Sequence, residues 1–385
     1  MMPALSSEEE LHSRAVAALI AERVRAAGGW LSFEQFMELA LYSPGLGYYS
    51  AGSVKLGADG DFVTAPEISD LFSRCVARQC AQVLAGGGEL LELGAGTGRM
   101  AAVILETLAA SGRLPDRYAI LEVSADLAER QKGRLQRLPP ELRRRVVWLD
   151  RLPERPIRGV ILANEVLDAL PFRRFRLSGG APRELGVAVE EGSYTLTERE
   201  AAPDEDLANA CAALLSEQPL PLPEGYTSEV CLRTAPWIAG VARCLEQGLM
   251  LLFDYGLPRA HYYHPQRTAG TFRCHFRQRV HDDPYINLGV QDITAWVDFT
   301  RVAEAAMACG LDVSGFCTQA AFLLATGVER LLAASGAVEH ARLAGQARRL
   351  LLPGEMGEAF KAVALTRDFD VALEGFALQD LRHSL

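Results

Sequence analysis

Leu90-Leu91-Glu92-Leu93-Gly94-Ala95-Gly96-Thr97-Gly98-Arg99 decides the fold. A short apolar run breaks into a turn where glycine at 94, 96 and 98 removes every second Cβ, so backbone can approach a ligand closely and the next helix can present its N-terminal amides. Met100, Val103, Ile104 and Leu108 then fall on one helical stripe. Beyond this unit, short apolar runs alternate with amphipathic helical patterns, the mark of a parallel sheet built from strand-helix-strand units. Runs at 90–93, 118–122, 146–149, 159–163, 249–253, 312–316 and 362–366 predict a seven-stranded, doubly wound, mostly parallel α/β sheet.

The third glycine selects the ligand class. Dinucleotide-binding turns read G-x-G-x-x-G and would need glycine at 99, where this chain has arginine. The G-x-G-x-G spacing resembles the first motif of class I S-adenosylmethionine-dependent methyltransferases. In that fold an acid at the end of the second strand meets the ribose, which places Glu122 there: a carboxylate offers two oxygens and no donor to a diol. A carboxylate at this helix N-terminus also suits the macrodipole alone. Asp150, after the third strand, is the candidate for the adenine amino group, or a turn residue before Pro153. Glu92 is the candidate for the methionine amino group, or an acid before a helix N-terminus.

Four further stretches resemble the MidA-like family of class I methyltransferases, which includes a mitochondrial complex I assembly factor that methylates an arginine. They are Tyr42-Ser-Pro-Gly-Leu-Gly-Tyr-Tyr49, Gly60-Asp-Phe-Val-Thr-Ala-Pro-Glu-Ile-Ser69, Ala163-Asn-Glu-Val-Leu-Asp-Ala-Leu-Pro171, and Asp254-Tyr-Gly256 with Asp292-Ile-Thr-Ala-Trp-Val-Asp-Phe-Thr300. The resemblance implies S-adenosyl-L-methionine as cofactor, a protein substrate with a target arginine such as a complex I subunit, and an N-terminal helical lid in which Gly60, Asp61, Thr64, Pro66 and Glu67 close over the cofactor. It also places an acid at Glu229, for which a surface salt bridge is the alternative. Trp296 departs from the pattern, which has histidine there. Methylation of a small molecule or RNA, a non-catalytic assembly role and a nicotinamide-dependent oxidoreductase are the competing readings, the last opposed by Arg99.

Asn164, Glu165 and Asp168 follow the fourth strand, at the carboxyl edge where open α/β sheets bind ligands. A helical turn beginning there puts Glu165 and Asp168 on one face, where they can hold one guanidinium; an Asn cap with two acids in its first turn is the structural alternative. Asp254 leaves the fifth strand at the same edge and, with Asp292, is a proton-acceptor candidate. His275 and His281 lack a third metal ligand at sensible spacing, so no metal is expected, and they read as a polar wall or a contact between two copies in a homodimer.

Domain boundaries follow from these patterns. Residues 1–88 hold helices near 8–27, 32–41 and 68–84 and the lid; 89–171 form the first half of the sheet domain; 172–247 an inserted subdomain; 248–385 the second half, with an insertion at 257–291. The first insertion shows a hairpin (Leu185, Val187, Val189, a turn at Glu191-Gly192, then 194–197), an acidic, proline-rich stretch to Pro223, and a helix at 236–247. With 385 residues, 49% hydrophobic and 23% charged, the chain is long enough to bury its own core. A net charge of −10 excludes a generally basic nucleic-acid surface and favours cationic partners. The 8 cysteines form no C-x-x-C pair and read as reduced, buried side chains. Without an apolar run long enough to span a membrane or a leader-like start, the expected location is cytoplasmic.

Overall fold

In the computed structural model, which describes residues 3–50, 63–334 and 336–385, the Glu89–Leu93 strand lies inside an eight-stranded sheet. The order is Asp312–Thr318, Phe360–Arg367, Leu245–Leu257, Ile157–Asn164, Glu89–Leu93, Tyr118–Leu121, Val146–Leu149, with the two-residue strand Val297–Asp298 beside Leu245–Leu257. Every predicted strand is in this sheet, but the count is one higher than expected, because a two-residue strand carries no periodicity to read. Strands from Leu245–Leu257 to Val146–Leu149 run parallel, whereas Phe360–Arg367 pairs antiparallel with both its neighbours. Chain order reverses at Glu89–Leu93, flanked by Tyr118–Leu121 on one side and Ile157–Asn164 on the other, so the glycine turn opens at the topological switch point.

This sheet belongs to a compact unit of residues 63–167, 235–258 and 297–385. Parallel strands covered on both faces need apolar residues on both, and Leu90, Leu91, Val160, Ile161, Leu251 and Leu252 are all buried. Phe253 meets Phe72 and Phe322 edge-on, with centroids 5.1 and 4.9 Å away. Buried side chains of this size stabilise by roughly 2–3 kcal/mol each.

The second unit comprises residues 3–50, 168–234 and 259–296. Its helix Phe33–Tyr42 starts at a capping box, Ser32 accepting from the Gln35 N–H and Gln35 answering the Ser32 N–H. Leu31–Ser32, Ala181–Val189, Arg173–Ser178 and Thr227–Val230 form a sheet in that order, with Leu196–Ala201 closing the predicted hairpin on Ala181–Val189. Phe33, Phe36, Phe172 and Phe272 pack its core. The acidic stretch before Pro223 contains a helix, Glu205–Glu217: Asp204 caps it, and Leu207, Cys211 and Leu214 are its buried stripe. A three-stranded sheet of Arg279–His281, Arg273–Phe276 and Asp292–Thr294 builds the later insertion. Among the described residues, no helix is long and apolar enough to cross a membrane.

Candidate cofactor and acid sites

Gly94, Gly96 and Gly98 all have positive φ, at 69°, 53° and 77°, where an L side chain would clash. Gly98 caps the helix Arg99–Ala110 in the left-handed conformation. A short segment folds onto this turn from the N-terminal side. Thr64 begins the four-residue helix Ala65–Ile68, whose buried Pro66 lacks an N–H at a position that needs none. Glu67 accepts the Thr97 hydroxyl at 2.5 Å through its carboxylate, and its carbonyl accepts from Arg99 Nη1 at 2.6 Å. Arg99 Nε also donates to Asp70 at 3.0 Å. Arg99, which removes the dinucleotide pattern, thus docks the Thr64–Glu67 segment on the glycine turn. Gly60 and Asp61 lie outside the described residues.

Glu122 follows the Tyr118–Leu121 strand, with Oε1 accepting the Ser124 N–H at 2.9 Å and Oε2 the Gln131 side-chain amide at 2.8 Å. Val123, beside it, is 80% exposed, an apolar face that periodicity had no reason to single out. Asp150 is exposed at the end of its strand. Glu92 is fully buried: Tyr118 donates to its Oε2 at 2.7 Å, and burial pushes its carboxyl up to about 7, against the pull of that hydrogen bond and with a push from Glu122. Glu92 Oε1 and Asn164 Oδ1 are buried acceptors with no hydrogen-bond partner among the described residues. Leu93 and Ala163 are register partners, so these two acceptors belong to the ends of adjacent strands. Orphaned acceptors there suit a ligand carrying several N–H donors, as an ammonium does.

After Asn164 the expected helical turn does not form. Glu165 has φ 54°, which no right-handed helix can start from. Its N–H donates to the Phe253 carbonyl at 2.9 Å, and its carboxylate accepts from Asn164 Nδ2 at 3.1 Å. Asp254 Oδ2 accepts the Val166 and Leu167 N–H groups at 3.2 and 2.9 Å, and Oδ1 accepts from the Tyr255 N–H at 2.9 Å. Asp254 therefore holds the shape of the bend that presents Glu165.

The other unit carries Asp168 and Asp292, both buried. The Asp168 carbonyl accepts the Ala295 N–H at 3.1 Å. Tyr49 donates to both oxygens of Asp292, at 2.9 and 3.1 Å, and Asp292 Oδ1 also takes the Ile293 N–H at 2.9 Å. Tyr42 stacks on Tyr49 with centroids 5.3 Å apart and donates to the Ala169 carbonyl at 2.9 Å. Burial, then the Asp292 charge, hold both phenols well above their usual range, so they act as neutral donors. This gives the Tyr42–Tyr49 stretch a local function that its turn-rich composition did not show.

Trp296 is half-buried, with the Arg267 guanidinium 5.2 Å from its ring. Glu229 is buried and takes the Thr271 N–H at 2.9 Å and hydroxyl at 3.1 Å, which replaces the surface salt bridge considered for it. His275, pushed down to about 4 by burial, contacts the Thr294 hydroxyl at 3.3 Å. No cluster of metal-ligating side chains occurs among the described residues.

A family model described as "Putative S-adenosyl-L-methionine-dependent methyltransferase" matches residues 75–317. A Burkholderia thailandensis protein crystallised with S-adenosyl-homocysteine is 39% identical, each chain covering 100% of the other, with a TM-score of 0.94. A second, native crystal structure from that organism is 38% identical at a TM-score of 0.92, again over 100% of both chains. The protein arginine methyltransferase NDUFAF7 homolog of Drosophila melanogaster is 28% identical over 94% of this chain and 87% of its own length, and that of Mus musculus 28% over 88% and 81%. Both are named as mitochondrial proteins, and this corrects the cytoplasmic location expected above. That expectation rested on the composition of the first residues, which does not specify a compartment.

Proposed function

Because the chain belongs to the S-adenosyl-L-methionine-dependent methyltransferase family, we propose that its methyl acceptor is an arginine side chain of a protein. The enzyme is a methyltransferase, and its cofactor is S-adenosyl-L-methionine. The observation that carries the acceptor is a carboxylate, Glu165, held on a strained backbone next to the cofactor turn's neighbouring strand. The arginine methyltransferase names of relatives matched along most of the chain support the same reading.

When bound, the cofactor supplies an electrophilic methyl on a sulfonium whose departing thioether is neutral, so the protein need not protonate a leaving group. Positioning dominates, and near-attack geometry can lower the barrier by about 7–11 kcal/mol. Glu92 Oε1 and Asn164 Oδ1 are proposed to accept from the cofactor's ammonium, Glu122 from its ribose hydroxyls, and Gly94, Gly96 and Gly98 to let backbone approach it. Asp150 is proposed at the adenine amino group, with Val123 as an apolar face for the ring. Thr64, Pro66 and Glu67 are proposed as part of the cover over the cofactor.

A guanidinium stays protonated at neutral pH and is a poor nucleophile until a carboxylate orients it and takes up its charge. Glu165 is proposed as its ligand, and Asp168 and Asp292, on the other unit, are proposed as catalytic acids, Asp292 as a proton acceptor. Asp254, whose carboxylate already accepts three backbone N–H groups, is proposed to fix the Glu165 bend. Mass spectrometry of methylarginine in respiratory complex I subunits, from cells with and without the protein, tests the acceptor. Loss of a methylarginine without the protein, restored by wild type but not by Glu165→Gln or Asp168→Asn, is expected; unchanged methylarginine in those subunits sinks that substrate. Both variants are expected to bind S-adenosylhomocysteine as wild type does.

A further inference from the structure

Gln131 belongs to no motif, yet its amide connects three parts of the cofactor site. It lies fully buried on the helix Ala125–Leu135, which follows Glu122. Its Nε2 donates to the Gly96 carbonyl at 3.0 Å and to Glu122 Oε2 at 2.8 Å. Its Oε1 accepts from the Trp148 indole N–H at 3.0 Å. An indole N–H can only donate, so Trp148 fixes which end of the amide is oxygen and directs both amide hydrogens toward the glycine turn and Glu122. The third glycine makes room for this residue: a Cβ at Gly98 would come within 3.2 Å of Gln131 Cα and 3.3 Å of its Cγ. The same helix is tied to the turn once more, through Arg134 Nε to the Thr97 carbonyl at 3.1 Å.

We propose that Gln131 is a positioning residue that sets the plane of the Glu122 carboxylate against the cofactor ribose and locks that plane to the glycine turn. The inference rests on the reading of Glu122 as ribose ligand. With the Ser124 N–H on one oxygen and the Gln131 amide on the other, a donor at each end stops the carboxylate from rotating. Neither of these two donors carries a charge. A carboxamide whose orientation is imposed by Trp148 does this without the mobility of a lysine or the second charge of an arginine.

Titration calorimetry of the full chain with S-adenosylhomocysteine tests it through a double-mutant cycle of Glu122→Ala and Gln131→Met. Glu122→Ala is expected to weaken binding about 100-fold and Gln131→Met about 10-fold, in the range of losses when a supporting hydrogen bond is removed. The double variant is expected to match Glu122→Ala within about twofold, because Gln131 acts through that carboxylate. If Gln131→Met keeps its own factor in the Glu122→Ala background, the residue only fills space and the proposal fails. If Glu122→Ala binds like wild type, the ribose reading fails first, and the inference with it.

Gln131→Glu gives a second readout, in a chain whose shape is unchanged. Its carboxylate faces Glu122, so binding is expected to be weaker than in Gln131→Met at about pH 8 and to recover toward wild type near about pH 5.5, when one shared proton restores the donor. A loss of binding that does not depend on pH relative to wild type overturns the proposal. Trp148→Phe, which keeps a ring but frees the amide to flip, is expected to cost about threefold; full wild-type affinity there removes Trp148 from the chain of positioning.

Discussion

The bends that follow two adjacent parallel strands solve the same problem in opposite ways. After Leu93 the backbone enters the left-handed region three times, each time at glycine; after Asn164 it does so once, at Glu165. Glycine adopts that conformation freely, and its missing Cβ is what a ligand approaching the backbone needs. A glutamate pays about 1 kcal/mol or more for the same φ and gains only the position of its side chain. One bend is shaped to be approached, the other to hold out a carboxylate, and the second stays in place because neighbouring groups grip it.

The largest effect that would break this contrast comes from removing the grip. Asp254→Ala leaves the Val166 and Leu167 N–H groups without their carboxylate acceptor. At about 2 kcal/mol for each donor so stranded, the loss is about 4 kcal/mol, readable as a lower denaturation midpoint. Methylation is expected to fall further than the folded fraction does, because the Glu165 bend loosens. A chain as stable as wild type would mean that the Phe253 carbonyl alone holds Glu165.

Glu92 sharpens the contrast from the cofactor side. Its carboxyl is raised from the ordinary 4.5 to about 7, chiefly by burial. Between those values the folded chain keeps a proton that the unfolded chain releases, so stability falls as pH rises through that window and the penalty is fully present above it. Glu92→Gln keeps the acceptor for Tyr118 without the charge. It is expected to stabilise the chain by on the order of 3 kcal/mol at about pH 8 and hardly at all near about pH 4.5, in urea titrations at both pH values. An equal gain at both would mean that ionisation of Glu92 is not what costs stability. The same variant is expected to bind S-adenosylhomocysteine more weakly, because an ammonium loses its carboxylate.

Gly98→Ala tests whether the glycine bend is as demanding as its φ implies. The new Cβ meets Gln131 at 3.2 Å on a backbone with φ 77°. A cost of about 2 kcal/mol, seen as a roughly 30-fold loss of S-adenosylhomocysteine affinity, is expected. Wild-type affinity would show that the helix Ala125–Leu135 can move aside.

These two bends also mark where sequence reading succeeds and where it stops. The glycine bend is legible because positive φ selects a residue type, and the strands around it because burial on both faces selects apolar runs. Glu165 violates the local rule, so a pattern-based reading gave it a helical turn, and the strain that singles it out exists only in three dimensions. Gln131 was invisible for a different reason. A glutamine on a helix is read as solvent-exposed, and its burial follows from Gly98, Trp148 and Glu122, which the fold brings to it from separate stretches. The helix Glu205–Glu217, by contrast, is readable: Asp204 is a capping residue and Leu207, Cys211 and Leu214 have helical spacing, although the stretch stands out first for its acids and prolines. Tyr49 and Asp292 are far apart in sequence, so neither could be recognised as the other's partner before the fold joined them.

The smallest effect separates stability from chemistry at a single residue. Glu165→Gly relieves the positive φ, but gives up the contact from Asn164 Nδ2 and adds chain entropy to the unfolded state. Strain relief opposes the lost contact and the added entropy, so stability within about 1 kcal/mol of wild type is expected in denaturant titrations. Methylation is expected to be lost, while S-adenosylhomocysteine affinity stays within about twofold of wild type, since the Gln131 amide still donates to Gly96 and Glu122. A chain about as stable as wild type that no longer turns over is the behaviour of a residue whose strain is kept for its side chain. A destabilised chain would instead make Glu165 a structural part of its bend, and the difference between the two bends would then reduce to residue composition.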